Sequence, residues 1–216
     1  MTVAPAFLFD LDGTLADTLA DIAASTNHVR AAFGLPAVDL ATARTFVGDG
    51  ARTLLRRALA PVEPSPSEAF LDRAFATYAA HHAVQCTVEA RLFAGVREHL
   101  EHLAERGHPL AVVTNKPERF AVPVCEHLGL VPLLGAIVGG DTAPRRKPDP
   151  APLRLALERL GAPAAGATMV GDGPQDVRAG KALGMTTIAC LYGYHDPDAL
   201  RAEGATVHWR AFGMPE

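Results

Sequence analysis

The stretch FLFDLDGT, Phe7 to Thr14, decides the fold. Its apolar start and Asp-Gly ending read as a short buried strand, Ala6 to Leu11, that runs into a turn. Strand alternation sends Leu8, Asp10 and Asp12 to one side and Phe7, Phe9 and Leu11 to the other, with the two acids about 6–7 Å apart at the strand's C-terminal end. Open parallel sheets bind ligands at such ends. Two carboxylates this close repel unless a cation joins them or one takes a proton, and an oxygen-seeking ion such as Mg²⁺ is the natural partner. The same letters also suit a strand that simply ends in turn-forming acids.

Similar short runs recur down the chain: His108 to Thr114, Gly135 to Val138, Ala167 to Gly171, Met185 to Cys190 and Ala205 to Trp209. With the first, they make six predicted strands. Between them lie segments of helical spacing: Val96, Leu100, Leu103; Phe120, Val124, Leu128; Leu153, Ala156, Leu157, Leu160; and Val177, Lys181, Leu183. Gly107, Gly129, Gly161 and Gly184 stand where such helices stop. Alternating strand and helix predicts an α/β fold, a Rossmann-like parallel sheet with helices on both faces.

One interval breaks the rhythm, because about 95 residues separate the first two strands where a crossover unit needs only about 30. The excess reads as helices throughout. Leu15, Leu19, Ile22, Thr26, Val29 and Phe33 step by four and three, and further helical stretches cover Leu40 to Phe46, Gly50 to Leu59 and Ser67 to Val84. The expectation is a hydrolase-type core of residues 1–16 and 90–216, with a small helical cap domain, 17–89, inserted after the first strand. Its linkers fall near Leu15 to Thr18 and near Glu89 to Phe93.

Composition narrows the classes. With 216 residues, 49% hydrophobic, 20% charged and a formal charge of −4, the chain can bury a real core and is not disordered. No basic stripe exists to hold a nucleic acid. Cys86, Cys125 and Cys190 are far apart and form no CxxC pair, which fits reduced thiols in a cytoplasmic protein. The N-terminal MTVAPAFLFDLDG has no basic leader region, and no run reaches the roughly 18 apolar residues of a membrane span. His81–His82 and the pair His99, His102 read as solvated helix faces, and Trp209 as a packing residue.

Two further strand ends and one loop carry polar chemistry. Val112-Val113-Thr114-Asn115-Lys116-Pro117 puts a hydroxyl and an amide ahead of a helix start, which suits a phosphoryl oxygen as well as ordinary capping. In RRKPDP, Pro148 and Pro150 bracket a loop from which Lys147 can supply a point charge for phosphate. Val170-Gly171-Asp172-Gly173-Pro174-Gln175-Asp176 follows a buried run, so Asp172 can add a third carboxylate and Asp176 can lie one helical turn on.

Taken in order, DLDGTLADT, VTNK, KPDP and VGDGPQD resemble the four motifs of the haloacid dehalogenase superfamily, from near Ala6 to near Tyr194. The resemblance implies a catalytic pair, Asp10 as nucleophile and Asp12 as general acid and base. It implies phosphate binding by Gly13, Thr114, Asn115 and Lys147, and Mg²⁺ held by Asp10, Asp12 through its carbonyl, and Asp172, with Asp176 in support. Asp12 is expected to keep its proton because of its like-charged neighbour. Gly173 departs from the family's usual Ser, which removes a capping hydroxyl.

An insert between the first and second motifs resembles the family's first cap type, which implies a small phosphorylated metabolite as partner, with neither nucleic acid nor membrane, in a monomer or homodimer. FVGDGARTLLRRAL (46–59), VVTNKPERF (112–120), VGGD (138–141) and LYGY (191–194) look most like phosphoglycolate phosphatases. By that resemblance the cap loop of Gly48, Asp49, Gly50 and Arg52 faces the substrate's carboxylate end, although a helix cap at Asp49 explains the same letters. A phosphosugar phosphatase or phosphohexose mutase, a pyrophosphatase and an inactive binding module are the alternatives. A dehalogenase has no need of Asp12. A phosphonate hydrolase needs a cap lysine, and Lys116, Lys147 and Lys181 all lie outside the cap.

Overall fold

A computed structural model describes residues 4–216; Met1 to Val3, the start of the expected core segment, lie outside the described residues. Strand β1 (Phe7–Phe9) is followed by a two-residue strand β2 (Ala16–Asp17) and four helices, α1 (Leu19–Ala32), α2 (Leu40–Arg44), α3 (Ala51–Leu59) and α4 (Glu68–Gln85). Then come β3 (Arg91–Leu92), α5 (Val96–Glu105), β4 (Leu110–Val113), α6 (Glu118–His127), β5 (Ala136–Val138) and α7 (Ala151–Leu160). The chain ends with β6 (Thr168–Gly171), α8 (Pro174–Lys181), β7 (Thr186–Cys190), α9 (Pro197–Ala202), β8 (Val207–Ala211) and β9 (Met214–Pro215).

The main sheet runs β5-β4-β1-β6-β7-β8-β9, parallel up to β8. All six expected strands are in it. Only β9 is antiparallel, paired with β8, and it was not legible in a tail as short as Phe212 to Glu216. Strand alternation then builds two cores. Phe9, Val112 and Val170 face α5 and α6 through Val96, Leu100, Ala121 and Val124. Leu8, Ala111, Val113 and Met169 face α7 and α8 through Leu153, Ala156, Leu157 and Ala179. Each fully buried Leu or Phe contributes about 1.5–3 kcal/mol, so helices on both faces stabilise one central strand, β1.

Helices α1, α3 and α4 enclose a third cluster around Ile22, Val29, Leu55, Leu59, Ala74 and Tyr78, which closes over Phe120 of α6. The predicted helix from Leu15 starts only at Leu19, because Leu15 to Asp17 pair with the returning chain instead. Ala16 lies opposite Leu92, and Phe93 N–H donates to Leu15 O. The expected linkers are thus held together as a two-stranded ribbon.

The histidines depart from the sequence reading. His82 is buried and His81 half-buried, each with Nδ1 at hydrogen-bond distance from Ser25 Oγ, 2.9 and 3.1 Å. Burial, then Lys116 and His81, drive His82 down to about 2, so it is a neutral core residue. His99 packs edge-on against Trp209 and Phe212, and only His102 is exposed. A period of 3.6 does not reveal which helix face a second helix covers.

Candidate active site

Three neighbouring strands, β4, β1 and β6, end side by side, and their next residues are Thr114, Asp10 and Asp172. The chain leaves β1 toward β4 and β5 on one side and returns to β6 and β7 on the other, so β1 sits at a topological switch point. Register fixes the convergence: Phe9 lies opposite Val112 and Val170, and Asp10 N–H donates to Val170 O at 2.9 Å.

Asp10, Asp172 and Asp176 are all buried, and each offers an oxygen within 4.8 Å of the others'. Lys147 reaches in from the loop after β5. Its Nζ lies 3.1 Å from Asp10 Oδ1 and 2.6 Å from Asp176 Oδ1, and it donates to Val113 O at 2.6 Å. Asp176 also accepts Gly173 N–H at 3.0 Å, the half of a capping box that its own carboxylate provides, while the half a serine hydroxyl would make to the Asp176 N–H is absent. Asp172 accepts from Thr14 Oγ1 at 3.0 Å and from Tyr194 N–H at 2.7 Å. Gly13 has φ +83°, and a methyl there would collide with Asp172 and Tyr194.

Burial raises Asp10 to about 7, with Lys147 opposing and Asp176, Asp172 and Asp12 adding to the rise. Asp176 is raised by burial against the pull of Lys147. For Lys147 burial opposes the charge, but Asp10 and Asp176 outweigh it and hold the ammonium above its usual range. With every group ionised, three carboxylates and one ammonium leave two negative charges uncompensated. An all-oxygen donor set with that excess fits a divalent ion such as Mg²⁺.

The Asp12 carboxylate stands apart from this cluster. Its Oδ1 accepts from Thr18 Oγ1 at 2.6 Å and from Lys116 Nζ at 3.1 Å, and its Oδ2 lies 3.3 Å from the same ammonium. Asp12 was expected to be governed by a like-charged neighbour, and the structure gives it a cation at contact instead. Strand alternation ends at Phe9, so the turn is free to aim Asp12 at β4's C-terminal loop.

A cleft of about 550 Å³ opens on these groups. From the core it is lined by Asp10, Asp12, Thr114, Asn115, Lys116 and Asp172, and from the helical segment by Ile22, Gly48, Gly50 and Tyr78. Asn115 spans the two, its Nδ2 donating to Gly48 O at 3.1 Å and Lys147 O at 3.0 Å. Arg44 of α2 clasps the loop after β7 through Gly193 O and Tyr194 O at 2.5 and 2.6 Å.

Two residues of the expected cap loop do not line the cleft. Arg52 points outward and pairs with Glu68 and Asp72, 2.7 and 2.8 Å away, and Asp49 is bound to Arg57. Gly48 and Gly50 do line it. Lys116, Thr18, Tyr194, Gln175 and His195 were missed. Lys116, Thr18, Gln175 and Tyr194 stand inside the quoted stretches, so their positions were visible and only their side-chain directions were not; His195 directly follows LYGY.

The family model for haloacid dehalogenase-like hydrolases matches residues 7–190. A phosphoglycolate phosphatase of Pseudomonas syringae pv. syringae (strain B728a) is 41% identical over 194 residues, which cover 87% of this chain and 70% of that protein. A phosphoglycolate phosphatase of Agrobacterium fabrum (strain C58 / ATCC 33970) is 38% identical over 201 residues, 93% of this chain and 86% of that one. The crystal structure of a predicted phosphoglycolate phosphatase from Haemophilus somnus 129PT superposes with a TM-score of 0.88 at 29% identity, covering 98% of this chain and 96% of that one.

Proposed function

Because the chain belongs to the haloacid dehalogenase-like hydrolase family, we propose that it is a phosphatase hydrolysing a small phosphate monoester, 2-phosphoglycolate, to glycolate and phosphate. The observation that carries the reading is the buried Asp10–Lys147–Asp176 array beside Asp172, at the end of three parallel strands.

An anionic ester cannot meet an anionic nucleophile until its charge is offset. Lys147, fixed by two carboxylates and a carbonyl, supplies one positive charge at Asp10. Asp10, Asp172 and the Asp12 carbonyl, supported by Asp176, would hold Mg²⁺, which when bound neutralises phosphoryl charge and favours the anionic form of Asp10. An Asp10 oxygen then attacks phosphorus, the bond to the leaving oxygen breaks, and the phosphoryl group rests on Asp10 as an acyl phosphate. Asp12 protonates the departing glycolate oxygen and afterwards takes a proton from the water that attacks the same phosphorus and frees Asp10. The Thr114 hydroxyl, Asn115 and the turn at Gly13 are assigned to the phosphoryl oxygens.

Residues 17–89 are assigned the role of a cap. Ile22, Leu54, Tyr78 and Phe120 make the cleft's far wall apolar, which supports a small substrate and the exclusion of bulk water. Among the described residues no helix is long and apolar enough to cross a membrane. Three buried free thiols favour a cytoplasmic assignment. The test is a panel of kcat/KM values for 2-phosphoglycolate, glucose phosphates and pyrophosphate with Mg²⁺. Preference for 2-phosphoglycolate is expected, and equal or better turnover of a sugar phosphate would overturn the substrate while sparing the core chemistry.

A further inference from the structure

The leaving group must meet something in the cleft beyond Asp10 and Lys147. Gln175, on the first turn of α8, is only 4% exposed and lines the cleft, yet its buried Oε1 has no hydrogen-bond partner. A carboxamide turned end for end presents its N–H₂ instead, so this side chain can offer either a donor or an acceptor. Beside it His195 lines the same cleft with a buried Nδ1 that is also unpartnered, 3.7 Å from Asp172 Oδ2 and so beyond hydrogen-bond reach. Unpaired buried polar groups cost about 1–3 kcal/mol each. A ligand that satisfies them recovers that cost.

Opposite stands the N-terminus of α3. Its cap is Gly50, with no side chain to accept from the first turn, so the N–H groups of Ala51, Arg52 and Thr53 are open toward a wall that Gly50 and Ala51 form. Gly48, at φ +118°, lets the two sides meet, for a methyl there would lie 2.7 Å from the His195 ring and 3.5 Å from Gln175 Nε2. At this end Lys116 is engaged by Asp12 and Arg52 faces outward, while the Arg146 guanidinium lies against Gly50 and donates to Asp49 O at 3.3 Å.

We propose that Gln175 and His195, facing the open N-terminus of α3, form the subsite that selects a carboxylate on the leaving group. The resemblance points only to the cap loop; the core-side pair is the new assignment, and it rests on the phosphatase reading. The pair and the helix N–H groups hold a small carboxylate by hydrogen bonds, and glycolate can leave after turnover. The subsite is complete only when the loop at Gly48 lies against His195.

The experiment compares kcat/KM for 2-phosphoglycolate with that for ethyl phosphate, which has a methyl in place of the carboxylate. In the wild type the ratio favours 2-phosphoglycolate, and Gln175→Leu or His195→Leu lowers it roughly tenfold to hundredfold, as loss of a hydrogen bond to a charged group does. Gln175→Glu keeps size and shape and so guards against a folding failure. It should raise turnover of 2-aminoethyl phosphate relative to 2-phosphoglycolate at least tenfold. A wild type that favours ethyl phosphate overturns the carboxylate substrate itself. A wild type that favours 2-phosphoglycolate, with ratios unmoved in all three variants, overturns the subsite alone.

Discussion

Replacing Asp10 by Asn should make the metal-free protein more stable, and increasingly so as pH rises. The Asp10 carboxyl is raised from the ordinary 3.8 to about 7 in the fold, chiefly by burial. A carboxyl raised on folding stabilises the fold below its unfolded value and loses that contribution as pH climbs through the folded one. The window is therefore from about pH 4 to about pH 8. The difference between the two pKa values, at about 1.4 kcal/mol per tenfold change in proton affinity, sets an upper limit of about 4 kcal/mol. For a chain of this length that corresponds to roughly 8–16 °C in Tm. Calorimetry in EDTA, on wild type and Asp10→Asn, from pH 4.5 to 8, reads the difference directly. The gap in Tm should open with pH and should narrow in the wild type's favour when Mg²⁺ is added, because the ion prefers the carboxylate. A gap that is constant with pH would refute the view that Asp10 bears the desolvation cost of this site.

Lys147→Met should abolish turnover and lower stability by about 3–5 kcal/mol at pH 8, since it strands two buried carboxylates; urea denaturation checks the second effect, and an unchanged midpoint counts against it. Lys116→Met removes the cation from Asp12 and should depress kcat more than KM, which steady-state kinetics will separate. Arg52→Ala should leave kcat/KM within about twofold, because Arg52 is held at the surface by Glu68 and Asp72; a larger loss would restore it to the substrate. Arg44→Ala removes the clasp between α2 and the loop after β7, so faster hydrogen exchange at Gly193 and Tyr194 is expected.

Much of this was legible in the chain itself. The six parallel strands announce themselves because a strand buried on both faces must be apolar throughout, and the positions of Asp10, Thr114 and Asp172 follow from where such runs stop. The ribbon of β2 and β3 was not legible, because two-residue strands carry no period and their pairing links positions 16 and 92. Nor was the partner of Asp12. Lys116 stands two residues after the strand-end threonine, in plain view, but which carboxylate it reaches depends on a turn whose side-chain directions alternation does not govern. Arg52 failed for the opposite reason: two acids a helix away, Glu68 and Asp72, compete for it.

The most direct test is chemical capture of the acyl phosphate. Wild-type protein turning over 2-phosphoglycolate with Mg²⁺ is quenched in acid, reduced with borohydride and digested for mass spectrometry. Reduction of an aspartyl phosphate leaves homoserine, and the account predicts homoserine at position 10 alone. Active enzyme that yields unmodified Asp10, or homoserine at 12, 172 or 176, contradicts it.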